Sequence, residues 1–145
     1  MAHSKDHLKD WWKPVLEMDL DDPLQEAPSW EGTNNVVLKT PFRGIKIKAF
    51  AGFGRKECGV FVSGVRKADV FQIQELLNRE RSALLKELPK GTTIDTGATW
   101  PVMTRNELSS DDEKRAWIAK TLNMFVRALR PRLQQWQKEQ RLHKH

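Results

Sequence analysis

The spacing of apolar residues along the chain switches repeatedly between a helical and a strand period. From about Asp6 to Met18, Leu8, Trp11, Trp12, Val15 and Leu16 recur at helical intervals and give one apolar face. Pro14 interrupts that pattern, either kinking the helix or marking the first turn of a second short one. Asp19-Leu20-Asp21-Asp22-Pro23 ends the element, and Pro23 and Pro28 hold the next stretch extended.

Strand patterns follow. Asn35-Val36-Val37-Leu38-Lys39 is a short β-branched run, and Pro41 and Gly44 punctuate the turn after it. Ile45 to Phe50 alternates apolar and basic residues, as a half-buried strand does. Gly52-Phe53-Gly54-Arg55-Lys56 supplies the next turn. Cys58 to Val62 is apolar on both faces, which suits a central strand. Three antiparallel strands with short connections are the economical arrangement.

A long helix is predicted next, with Asp69 as its cap and Gln72 completing a capping-box pattern. Val70, Ile73, Leu77, Leu84 and Leu88 form its stripe, and Pro89-Lys90-Gly91 stops it. Thr92 to Met103 reads as a fourth strand or an extended segment. Ser110-Asp111-Asp112-Glu113 is a second capping box, opening a helix striped by Trp117, Ile118, Thr121, Leu122, Phe125, Leu129, Leu133 and Trp136. Pro131 is expected to bend it near Arg127. The expected fold is α+β in the order αβββαβα. It is one domain over residues 1–145, with a mainly antiparallel three- to four-stranded sheet against two long helices. Residues 1–5 and 138–145 are expected to be frayed ends.

A length of 145 residues is ordinary for one core. One cysteine, Cys58, excludes an internal disulfide and a cysteine-rich zinc cage; its apolar surroundings make it a buried small hydrophobe. The N-terminus lacks the apolar run of a signal peptide, and no uncharged apolar stretch is long enough to cross a bilayer. The expected location is therefore cytoplasmic.

The four histidines, His3, His7, His143 and His145, all stand near the ends. Their absence from the body of the chain counts against Ser–His, Cys–His and His–metal catalysis. With no tyrosine, tyrosine nucleophile chemistry is excluded. The order αβββαβ is also that of the PD-(D/E)xK nuclease core, whose carboxylates hold Mg²⁺ on the second and third strands. Here the second strand has no acid, and Glu57 on the third is followed two positions later by Gly59 rather than lysine. The motif is empty, so no catalytic residue, metal or cofactor is assigned. Gly52-Phe53-Gly54 opens onto a strand rather than a helix, so it reads as a turn and not a phosphate cradle.

The net charge of +6 is segregated. Residues 1–36 are acidic, whereas residues 37–67 carry eight Lys and Arg against Glu57 alone. Lys46 and Lys48 share a strand face, with Lys39, Arg43, Arg55, Lys56, Arg66 and Lys67 near them in sequence. If helices cover the Ile45/Ile47 face, these lysines point to solvent, where they either discourage edge pairing or meet phosphates. Phe42, Phe50, Phe53 and Phe61 could add stacking surface. Arg127, Arg130 and Arg132 begin a second basic group on the last helix, where cations also suit the helix dipole.

Four stretches carry a family resemblance. They are Asp10-Trp11-Trp12, the region from Arg66 to Leu77, Gly97 to Trp100, and Trp117…Phe125…Leu129-Arg130-Pro131-Arg132-Leu133. In these the chain resembles a small bacterial domain of unknown function often found at the C-terminus of restriction-endonuclease-like proteins. The resemblance implies an accessory recognition module of DNA defence systems and brings no catalytic residues.

Three functions remain open on sequence. The first is a non-enzymatic module recognising nucleic acid or an acidic partner protein through Lys39, Arg43, Lys46, Lys48, Arg55, Lys56, Arg127, Arg130 and Arg132. The second is a metal-dependent nuclease with a rearranged site using Glu57, Asp95 or Glu107. The third is a small-molecule pocket lined by Trp30 and Trp100 between sheet and helix.

Overall fold

A computed structural model describes residues 5–32, 34–52, 56–64 and 70–143, with the side chains of 5, 6, 70–72 and 140–143 excepted. His3, Phe53, Gly54, Arg55, Arg66, Lys67, Asp69 and the Gln72 side chain therefore lie outside the described residues. The element order is α1 (Lys5–Leu16), β1 (Ser29–Trp30), β2 (Asn35–Lys39), β3 (Lys46–Ala51), β4 (Glu57–Ser63), α2 (Val70–Arg79), α3 (Arg81–Glu87), β5 (Thr93–Ile94), β6 (Val102–Glu107) and α4 (Asp111–His143). The six strands form one antiparallel sheet in the order β1-β2-β3-β4-β6-β5.

The α+β class and the three early strands match the sequence expectation, and β4 is central. The element count does not match. Two short edge strands were missed, because two residues carry no period. The Thr92–Met103 segment is a hairpin: Asp95 and Gly97 turn the chain, and β6 continues to Glu107. The single long helix after β4 is two helices meeting at Glu80, whose ψ of 13° leaves the helical region. The leucine stripe runs through this break because its members stay on one side. Leu88 ends α3 in an extended conformation, as a residue before proline must. Pro14 sits inside α1 without dividing it. Nor does Pro131 divide α4, which runs as one 33-residue helix. Its start is the predicted one, with the Glu113 N–H donating to Ser110 Oγ at 3.0 Å.

The core lies on one face of the sheet. Trp12 and Val15 of α1, Ile73 and Leu77 of α2, Leu84 of α3 and Phe125, Leu129 and Trp136 of α4 join one cluster with Val36, Leu38, Ile47, Ala49, Val60, Val62 and Val102. Register places all these strand residues on the same side, since directly opposed residues share a face. Every described helix contributes to this cluster, so all of them lie on that side.

Cys58 belongs to this core and is fully buried. Burial pushes its thiol up to about 11, against a partial opposing pull from Lys114. In the unfolded chain the thiol ionises near pH 9, so the folded state gives up stability as pH rises from about 9 to 11 and keeps it below. Urea melts across that window are expected to show a downward slope that Cys58→Ala flattens. The native thiol is also expected to resist a disulfide reagent at pH 8 and to react on unfolding; equal rates in both states would contradict its burial.

Candidate nucleic-acid interface on the open sheet face

The second face of the sheet carries no helix among the described residues. Its cross-strand rows follow from the register. One runs Ser29, Val37, Lys48, Phe61, Met103, Thr93, and the next runs Asn35, Phe50, Gly59, Arg105. Lys39, Lys46 and Ser63 form a third. The helix-side residues of β3 are Ile47, Ala49 and Ala51, so its alternation sends Lys46, Lys48 and Phe50 to the open side.

An aromatic group sits at the middle of this face. Phe61 is 5% exposed yet stands outside the main core cluster, because its cover is local. Trp100, from the turn between β5 and β6, lies 4.7 Å from it ring to ring and is itself 40% exposed. Phe50 follows at 6.2 Å. Gly59 makes room for the Phe50 ring: a Cβ there would come within 2.5 Å of it.

The turn bearing Trp100 is tied to the helix layer. Gln74 of α2 donates to the Thr96 carbonyl at 2.7 Å, and Arg81 of α3 donates to the Ile94 carbonyl. Asp95 closes the turn through its backbone and side chain, accepting from the Ala98 and Gly97 N–H groups at 3.0 Å each.

Cations surround the aromatic group, several of them already paired. Lys48 reaches Glu31 at 3.2 Å, Arg105 reaches Glu57 at 3.0 Å, and Lys39 stands 3.9 Å from Glu26. Lys46 is exposed and has no ion pair among the described residues. Lys56 is exposed on the turn before β4. Arg43 lies on the β2–β3 turn, where its backbone N–H donates to Gln137 Oε1 of α4 at 3.3 Å. Lys114, almost fully buried, points its Nζ at the Gly52 carbonyl, 3.4 Å away.

The second basic group is elsewhere. Arg127, Arg130 and Arg132 belong to α4, across the sheet from Lys46 and Lys48. Arg127 faces Asp21 at 3.7 Å and Arg130 faces Asp22 at 3.6 Å, joining α4 to the acidic 19–26 segment. Arg132 is held by Glu80 at 2.9 Å and Glu87 at 2.6 Å, and the Glu87 hydrogen bond does most to raise its guanidinium above the ordinary arginine range. These arginines clamp helices and loop together. The structure does not bring them into one surface with the strand lysines.

Trp30 and Trp100 are likewise separated. Trp30 shares a face with buried Val36 and packs on the core, whereas Trp100 covers the opposite face. The pocket expected between them does not form. Phe42 is buried in the main core rather than offered for stacking.

Of the three acids considered for a rearranged nuclease site, Glu57 and Glu107 are opposed at one end of β4 and β6. Asp95 follows β5 at the other end, about 20 Å away by strand rise. Among the described residues no group of three or more His, Cys, Asp and Glu is placed to hold a metal ion, and no helix is long and apolar enough to cross a membrane. No family model, curated protein or solved structure matches the chain.

Sequence reasoning found Lys46, Lys48, Phe50 and Phe61 for this face but missed Met103 and Arg105 and misplaced Trp100. The missed signal was the alternation Val102-Met103-Thr104-Arg105 after the Asp95-to-Gly97 turn, which sends Met103 and Arg105 outward together.

Proposed function

We propose that this chain is a non-enzymatic recognition module that binds single-stranded nucleic acid across the open face of its sheet. The observation supporting this reading is the convergence of Phe50, Phe61 and Trp100 with Lys46, Lys48 and Arg105 on the sheet face that carries no helix among the described residues. Unpaired bases stack on aromatic rings whatever their sequence, and cations beside them meet the phosphates. A rigid sheet presents both with little ordering cost. The resemblance to a domain that accompanies restriction-endonuclease-like proteins agrees with a nucleic-acid partner.

The internal ion pairs limit the electrostatic part. If Lys46, Lys48 and Arg105 each meet a phosphate, the logarithm of affinity falls with the logarithm of salt at a slope of about −2. Anisotropy of a fluorescein-labelled thymidine dodecamer measures this slope directly. Lys46→Glu combined with Lys48→Glu is expected to lower affinity at least about tenfold and to flatten the slope. Its cost in stability is about 1 kcal/mol or less, as for an ion pair near the surface. No binding of DNA or RNA single strands at low salt would overturn the proposal.

A further inference from the structure

The aromatic face ends in a cavity of about 600 Å³ beside the β5–β6 hairpin, and Thr93, Asp95, Trp100, Met103 and Arg105 are among its walls. That volume is within the range of small-molecule sites, about 300–1,000 Å³. One wall is aromatic, and an acid and a base stand on others. Asp95 N–H donates to the Pro101 carbonyl at 2.7 Å while Asp95 Oδ1 accepts from Gly97, so the carboxylate has a fixed seat. Gln74 and Arg81 hold the residues on either side of Asp95 to the helices. Acid and indole are thus mounted on a braced turn.

A carboxylate only accepts hydrogen bonds, so it sorts bases by their donors. Thymine and uracil present one imino N–H between two carbonyls, which a carboxylate repels. Adenine and cytosine offer an amino group beside an acceptor nitrogen. Guanine alone sets an imino and an amino donor side by side, matching two carboxylate oxygens. Arg105 lies four residues beyond the position paired with Asp95, about 14 Å along β6, far enough to meet a phosphate while a base rests on Asp95.

We infer that this cavity is a subsite for one unstacked base and that it selects guanine. Asp95 takes the imino–amino edge, Trp100 takes the ring face, and Arg105 takes a flanking phosphate. The inference rests on the single-strand reading above and adds base selection to it.

The test compares a labelled thymidine dodecamer with versions carrying one central guanine, adenine or cytosine. The guanine version is expected to bind about tenfold tighter than the all-thymine strand, within what one bidentate base contact supplies. Asp95→Asn keeps an acceptor for the Gly97 N–H and is expected to bring that ratio to about one. On the wild type, free guanosine monophosphate is expected to displace the labelled strand at about tenfold lower concentration than thymidine monophosphate. Equal binding of all four strands, or a guanine preference that survives Asp95→Asn, would overturn the base subsite while leaving strand binding in place. Failure of every strand to bind would overturn both.

Discussion

Trp100→Ala is expected to weaken binding of a single-stranded dodecamer by about 5- to 150-fold, the loss of one base–aromatic stack worth about 1–3 kcal/mol. Trp100 is the most accessible of the three rings, at 40% exposure, and Phe61 behind it is covered. A base approaching this face therefore meets the indole first. The fold is expected to tolerate the change, because Trp100 stands on a turn braced by Gln74 and Arg81 and outside the main core. Trp100→Phe is expected to retain most of the affinity, since it keeps a ring face. Labelled-oligonucleotide anisotropy reads the affinity and urea melts read the stability. An affinity unchanged in Trp100→Ala would remove the aromatic platform from the proposed function.

The largest expected effect on stability is at Trp12. This side chain is completely buried on α1, edge-on to Trp11 with ring centres 4.9 Å apart. Trp12→Ala is expected to cost about 4 kcal/mol, in the range for emptying a buried tryptophan site. That is a large part of the roughly 5–15 kcal/mol that holds a domain together. Trp12→Phe is expected to cost far less than its lost volume suggests. The Trp12 Nε1 proton is buried with no hydrogen-bond acceptor among the described residues, and an unsatisfied donor costs about 1–3 kcal/mol. Phenylalanine removes that penalty together with the second ring. Urea midpoints at constant slope separate the two variants. A loss below about 1 kcal/mol for Trp12→Ala would mean that α1 unfolds apart from the rest.

Much of this architecture is legible in the residue pattern. Ser110 announces α4 because its hydroxyl has one local task, to cap the helix N-terminus. The alternation from Lys46 to Ala51 fixes which side chains share a face, because a strand has only two faces. The break at Glu80 is silent, because the leucines on either side still point to the core. The β5–β6 hairpin was obscured because its first strand spans only Thr93 and Ile94.

The basic strand face is less basic in the folded chain than its lysine count implies, because Lys39 and Lys48 face Glu26 and Glu31. By itself the sequence determined that Lys46, Lys48 and Phe50 lie together, since residues two apart on a strand share a side. It also determined that Phe61 occupies a strand apolar on both faces. Only the tertiary structure decided that Arg105 and Trp100 join them, because cross-strand register and a hairpin turn bring together residues about forty positions apart. The same three-dimensional packing paired Lys48 with Glu31 and sent Arg127, Arg130 and Arg132 to acids on the helix side. Charge counted along a chain cannot anticipate this, because an ion pair depends on distances that only folding sets.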